Sequence, residues 1–240
     1  MTRLGAKKDN KSQEKLAMAG FFNDAYVMNT SWTLDANDPA RAVIVARAKA
    51  LGITGAPEKA AHALGPVTLA DGRTVAAYVV HAVDAIITDG TYIVMIDRVY
   101  DPGKGKPALP GGLIDPLPDG TVETPVRAAA REAMEEAGIT LGDGRPVGPR
   151  NMDRPFDIRV ANETIPNYDL GEKYGIRHGD VFMVSTQAVR FDVPDLTRIP
   201  LTGGDDAMPG TARLVARRDI SRATVGIPDH ADMIAAAFAA

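Results

Sequence analysis

Glu132, Glu135 and Glu136 stand at spacing i, i+3, i+4 inside the run TPVRAAAREAMEEAG, residues 124–138. On a helix that spacing stacks three carboxylates on one patch. Like charges so close repel, and a divalent cation removes the conflict. Shortly before them, Pro110-Gly111-Gly112 lets the backbone bend sharply and approach a ligand, exposing carbonyl oxygens of the kind a hard cation accepts. Carboxylates and carbonyls are oxygen donors only, which suits Mg²⁺ or Mn²⁺ better than zinc. A site of this kind holds a diphosphate by its oxygens and activates water for attack at phosphorus.

The element that must carry these glutamates is one amphipathic helix. Thr124 is a good N-cap, Pro125 takes the first helical position where its missing N–H costs nothing, and Gly138 closes the far end. No other glycine or proline interrupts the stretch, and Ala, Arg, Glu and Met all favour helix. Val126, Ala130 and Met134 recur every four residues with Ala129, Ala133 and Ala137 beside them, so this face is expected to pack on a sheet.

The array Glu123, Arg131-Glu132, Glu135-Glu136, Gly138-Ile139 resembles the signature of the Nudix hydrolases. Six of these seven positions, at roughly 7% background usage each, would coincide by chance about once in ten million starts. Two departures stand out. The family leaves five residues between its glycine and first glutamate, whereas ten separate Gly112 from Glu123. The added DPLPDG stretch is turn-rich and is expected to loop out, leaving the helix intact. Ala133 also stands where the family prefers a larger aliphatic residue, a change of packing only.

The remaining composition is that of an ordinary globular protein: 240 residues, 45% hydrophobic and 24% charged. That is enough for one domain with a full core and a small appendage. A net charge of −4 argues against broad electrostatic binding to nucleic acid. The absence of cysteine excludes disulfides, thiolate metal sites and a cysteine nucleophile. The polar, lysine-rich start (AKKDNKSQEK) is not a secretory signal, and the longest apolar candidate, residues 75–88, is broken by His81 and Asp84. A cytoplasmic protein without membrane contact is expected.

Along the chain, residues 1–15 read as a tail and Leu16–Met28 as a weak helix. Asp38-Pro39 starts a better helix, with Asp38 as N-cap, that runs to Gly52; residues 57–64 add a turn. Residues 1–66 are thus expected to be a helical N-terminal extension, without recognisable chemistry, serving packing or a homodimer contact. From Val67 the period changes. Asp71-Gly72 and Asp89-Gly90 are hairpin-type turns between β-rich runs. Strands are expected over Thr74–Ile87, Tyr92–Asp97, Arg154–Val160, Val181–Val189 and Ala212–Arg217, and a terminal helix over Asp229–Phe238. Strands mixed with packed helices suggest a helix–sheet–helix sandwich. The resemblance implies an α/β class, a Nudix-type α/β/α sandwich with a mixed sheet, over residues 67–240.

By the same resemblance, Glu132 and Glu136 are the principal metal ligands, Glu135 shares the metals or a bound water, and the Gly111 carbonyl completes the shell. Glu123 and Arg131 form an orienting ion pair. The general base is sought on a loop beyond the helix, where Glu163, Asp169, Glu172 and Asp180 lie. Glu172 ranks first because Gly171 and Gly175 let that loop move. Arg98, Lys104 (with Lys106) and Arg154 are candidates for phosphate, and Phe156 or Tyr168 for stacking on a base. His178 reads as a surface histidine. Val83–Ile87, the run DPGKGKPALPGG and Pro155 look like the ADP-ribose-cleaving branch, including its fusion with nicotinamide mononucleotide adenylyltransferases. No coenzyme A-type or NADH-type motif is present, and Tyr168 is too far downstream for the dinucleoside-polyphosphate marker. The favoured substrate is ADP-ribose, cleaved to AMP and ribose 5-phosphate, or a related ADP-sugar. The competing readings are hydrolysis of nucleoside triphosphates, dinucleotides or capped RNA, and an ADP-ribose-sensing domain without catalysis.

Overall fold

The structure is a computed structural model that describes residues 33–99, 103–151, 158–161, 170–202 and 210–239. Its spine is β2, Thr74–Thr88, a single strand of 15 residues. From Val79 onward every residue of it is buried. A strand covered on both faces reads as a continuous apolar run rather than an alternation, as the stretch VVHAVDAIIT does apart from His81, Asp84 and the terminal Thr88. Along one edge β2 pairs in parallel with β8, Val181–Asp192, from Ala77↔Val181 to Thr88↔Asp192. Its other edge is shared by three antiparallel partners in succession: β1 (Ala61–Thr68), β5 (Gly111–Leu113) and β3 (Tyr92–Asp97). β4 (Pro107–Ala108) and β9 (Arg213–Ala216) flank β3, while β6 (Arg145–Asn151) and β7 (Ile158–Val160) flank β8. The sheet is therefore mixed, as expected.

Alternate residues of β2 serve two helical layers. Val83, Ala85 and Ile87 pack with the alanines of α2, Pro125–Ala137. Ile86 packs with Ile234 and Ala237 of α4, Pro228–Ala239. The short α3, Leu170–Tyr174, covers Val80, Ala82, Phe182 and Val184 through Leu170. α1, Ala40–Ala50, buries Ala40, Ile44 and Ala48 against β1, β2 and β8. Its start lies slightly later than expected: Asp38 Oδ1 accepts from the Ala40 N–H at 2.9 Å, but Asp38 stands just outside the helix and Pro39 is the capping residue.

The stretch 57–64, read as a turn, instead leads into β1. Ala61↔Val80 through Thr68↔Thr74 pair across the Asp71-Gly72 hairpin, with an irregularity between Ala63 and Gly65. β1 thus runs across position 66, where the extension was expected to end. The weak pattern AHALGPVT is strand because β2 offers it an edge. Asp71-Gly72 and Asp89-Gly90 turn as expected, with Gly72 and Gly90 at φ +84° and +90°. The helix expected over Leu16–Met28 lies outside the described residues.

Candidate active site

α2 forms with the ends expected of it. Thr124 is extended at the N-cap and its side chain accepts from the Arg127 N–H, while Gly138 takes a left-handed conformation at φ +70°. The buried face differs from expectation, however. Ala128, Ala129, Ala133 and Ala137 face the sheet, whereas Val126 and Ala130 are only partly buried and Met134 is exposed. Alanine lets the helix approach closely enough to carry Glu132 and Glu136 inward, each 6% exposed. The acidic patch is therefore split: Glu135 stays at the rim, its side chain 43% exposed.

Arg131 binds the cluster together. Its Nη1 donates to Glu132 Oε1 at 2.7 Å and Glu135 Oε2 at 2.9 Å, its Nη2 to Glu123 Oε2 at 3.1 Å and the Leu113 carbonyl at 2.9 Å. Burial alone would lower the guanidinium's pKa, but the charges of Glu132, Glu123 and Glu135 reverse this and raise it. Glu136 turns to the glycine segment, where its Oε2 accepts from the Gly111 N–H at 2.8 Å. Three carboxylates thus lean on one guanidinium and the fourth on a backbone amide.

Gly111 and Gly112 do not form the sharp bend expected of them. They are the first residues of β5, paired with Asp84 and Val83. Glycine is needed there for room, not for a left-handed backbone. A Cβ on Gly111 would strike the Val83 carbonyl and Asp84, and one on Gly112 would strike the Glu132 carboxylate. The ten residues before Glu123 fold out as a small hairpin. Pro116 bridges Val122, Leu117 N–H donates to Thr121 O at 2.8 Å, and Gly120 turns at φ +83°. At its base Glu123 N–H donates to Asp115 O at 3.0 Å, and Asp115 N–H to Glu123 Oε2 at 3.3 Å. The insertion therefore returns Glu123 to the end of β5, and its length is harmless.

The other expected residues are distributed unevenly. Glu172 is exposed on α3, whose next two residues fasten it near the cluster: Lys173 Nζ donates to Asp115 at 2.9 and 3.0 Å, and Tyr174 OH contacts Asp115 Oδ1 at 3.1 Å. Asp180 is occupied structurally, accepting from the Ala76 and Arg177 N–H groups at 3.2 and 2.9 Å. His178 is exposed. Arg98 follows β3, where its backbone closes a turn with Gly105 and Lys106 and its side chain lies against Gly226. Lys104 is exposed at the tip of that turn. Arg154, Phe156, Glu163, Tyr168 and Asp169 lie outside the described residues, as does Pro155.

Four buried polar residues, Arg150, His81, Asp84 and His230, are given no role by the sequence. Arg150 of β6 sends its guanidinium to the carbonyls of Gly55, Ala82 and Ser185 at 3.2, 3.0 and 2.7 Å. Burial lowers its pKa to about 10. His81 contacts His62 at 3.0 Å, and Asp84 meets His230 of α4 at 3.4 Å. The sequence carries a signal for His81 and Asp84, since each interrupts an apolar strand. Nothing local pointed to His230.

The donor set fits a hard divalent cation. Its ligating atoms are all oxygen, Glu132 and Glu136 are buried together beside backbone too tight for any Cβ, and the carboxylates outnumber the guanidinium they surround. Among the described residues no three ligating side chains already converge on one point. A cation would compete with Arg131 and the Gly111 amide for the same oxygens.

Residues 80–172 match the family model described as NUDIX domain, a stretch that starts in β2, takes in the whole glutamate array and ends in α3. Over that stretch the chain is similar to the Nudix hydrolases, and the intact acidic set lies within the matched residues. Such enzymes generally use divalent cations. The chain is similar to the NUDIX domain of Shewanella oneidensis NrtR complexed with ADP ribose, at 14% identity over 66% of this chain and 86% of that one, with a TM-score of 0.41. It is similar to a bifunctional NMN adenylyltransferase/ADP ribose pyrophosphatase of Francisella tularensis, complexed with AMP and a manganese ion, at 19% identity over 82% of this chain. There the TM-score is 0.41 and the chain spans 46% of that protein's length. A NUDIX hydrolase from Nitrosomonas europaea is 17% identical over 70% of this chain and 81% of its own, with a TM-score of 0.36. No curated protein matches the chain. Among the described residues no helix is long and apolar enough to cross a membrane.

Proposed function

We propose that the chain hydrolyses the pyrophosphate bond of ADP-ribose, or of a related ADP-sugar, giving AMP and a sugar phosphate. The observation that carries the proposal is the placement of buried Glu132 and Glu136 against the Gly111-Gly112 backbone, with Glu123 and Arg131 braced behind them. In this reading Glu132, Glu135, Glu136 and the Gly111 carbonyl hold Mg²⁺ or Mn²⁺. When bound, the cation neutralises the diphosphate and lowers the pKa of water. Arg131 keeps Glu132 and Glu135 oriented between turnovers, and Glu123 in turn orients Arg131. Glu172 accepts the proton of the attacking water; the Lys173 and Tyr174 contacts to Asp115 support this by tethering α3 to the end of β5. Arg98, Lys104, Arg154 and Phe156 are proposed to meet the substrate. The choice of ADP-ribose follows the resemblance of Val83–Ile87, the 101–112 run and Pro155 to that branch.

A screen of ADP-ribose, NADH, diadenosine polyphosphates, nucleoside triphosphates and capped RNA with Mg²⁺ and with Mn²⁺, read by product identity, tests this. AMP plus ribose 5-phosphate is the expected result, and release of inorganic pyrophosphate from a triphosphate overturns the substrate assignment. Glu136→Gln is expected to lower turnover by at least about a hundredfold. Near-normal turnover in that variant removes Glu136 from the site. Nucleotide binding without hydrolysis in the unmodified chain identifies a sensor.

A further inference from the structure

The glycine segment has a second set of neighbours on the side away from α2. His230, in the first turn of α4, is 1% exposed. Its Nδ1 accepts the Leu109 N–H at 3.0 Å. A ring nitrogen that accepts carries no proton, so the neutral imidazole has its proton on Nε2. That nitrogen faces Asp84 Oδ2 at 3.4 Å, and Asp84 is the strand partner of Gly111. Between them the Pro110 carbonyl accepts from the Ala85 N–H at 2.7 Å. One short path therefore runs from α4 through Leu109 and Pro110 to the Gly111 N–H and Glu136.

Docking of α4 does not call for this histidine. Ile234 and Ala237 already bury that helix against Ile86, Ile93 and Met95. A polar ring buried this deeply costs stability unless its nitrogens meet polar groups; Nδ1 takes the Leu109 N–H of the segment leading into β5, and Nε2 faces the carboxylate of Asp84, the β2 residue paired with Gly111. We infer that His230 and Asp84 are positioning residues: they fix Leu109–Gly111 at the height where the glycine backbone meets Glu136, and so bring the C-terminal helix into the active-site architecture. The inference rests on the proposed roles of Gly111 and Glu136.

The test compares His230→Leu, His230→Asn and His230→Gln in the full chain. Asparagine places an acceptor near the position of Nδ1, glutamine places it beyond, and leucine removes it. Three quantities are read: kcat and KM for ADP-ribose, Mn²⁺ affinity from the paramagnetic resonance of free Mn²⁺, and hydrogen exchange at the Leu109 and Gly111 amides. His230→Leu is expected to lower kcat and Mn²⁺ affinity about 10–100-fold, in the range of residues that support ligands from behind. KM stays within about twofold, both amides exchange faster, and His230→Asn recovers most of the loss. Wild-type kcat and Mn²⁺ affinity in His230→Leu, or a loss in His230→Asn as large as in His230→Leu, overturns the inference. Should the leucine variant fail to fold, the asparagine and glutamine variants decide: asparagine at least as impaired as glutamine overturns it. Glu136→Gln is measured alongside. If it keeps turnover and Mn²⁺ binding, the site assignment has failed; if it loses them while the His230 variants do not, only the positioning role has failed.

Discussion

Two adjacent glycines should respond in opposite ways to the same added methyl. In Gly112→Ala the new Cβ lands on the Glu132 carboxylate, the far end of a flexible side chain. That carboxylate can swing aside for about 0.5–1.5 kcal/mol of rotamer strain, against about 0.4–1 kcal/mol recovered because alanine stiffens the unfolded chain. The unfolding midpoint should therefore move by less than about 4 °C in a chain of this size. Mn²⁺ affinity should fall at least about tenfold, because a proposed ligand has been turned away. In Gly111→Ala the Cβ lands on the Val83 carbonyl and 3.0 Å from Asp84 Cα. β2 is paired along both edges and cannot retreat, so the cost is about 3 kcal/mol, the upper end for overpacking, and the midpoint falls by about 6–12 °C. Differential scanning calorimetry in EDTA and Mn²⁺ titration separate the two effects. A Gly112→Ala protein with unaltered Mn²⁺ affinity, or a Gly111→Ala protein as stable as wild type, would refute this account of the site.

Arg131→Met leaves Glu123 and Glu132 buried beside each other without their guanidinium, which should cost about 3 kcal/mol in EDTA; Mg²⁺ should raise the midpoint of this variant more than that of wild type, as thermal shifts with and without the ion would show. His81 is held neutral down to about pH 3, by burial first and then by Arg150 and His62. The unfolded chain takes up that proton near the ordinary value of 6.5, so this contribution to stability is intact above 6.5 and is lost as pH falls toward 3. The slope approaches about 1.4 kcal/mol per pH unit, and urea midpoints between pH 7 and 4 should fall less steeply in His81→Leu. Thr124→Ala removes the cap of α2 and should cost about 1 kcal/mol, lowering the midpoint by about 2–4 °C while the Mn²⁺ dissociation constant stays within about threefold.

The sequence alone determined whatever depends on neighbours within a few residues. Thr124, Pro125 and Gly138 bounded α2, because caps satisfy the backbone of their own helix and need no partner elsewhere. The acidic set was legible for the same reason: i, i+3, i+4 spacing places side chains together on any helix. β2 and β3 were legible because their residues favour strand and glycine turns bracket them.

Tertiary structure decided which way each group faces and what waits for it there. That Glu132 and Glu136 turn inward while Glu135 stays at the rim follows from close docking of Ala129, Ala133 and Ala137 on β2. The glycines read as a bend became β5, since an open edge of β2 was there to pair with them. The strand character of 61–68 depends on the same central strand. His230 reaches Leu109 across 121 residues of chain, and Arg150 reaches Ala82 across 68. Contacts of that separation leave no periodicity or local spacing behind, because each partner is chosen by where the folded sheet delivers it.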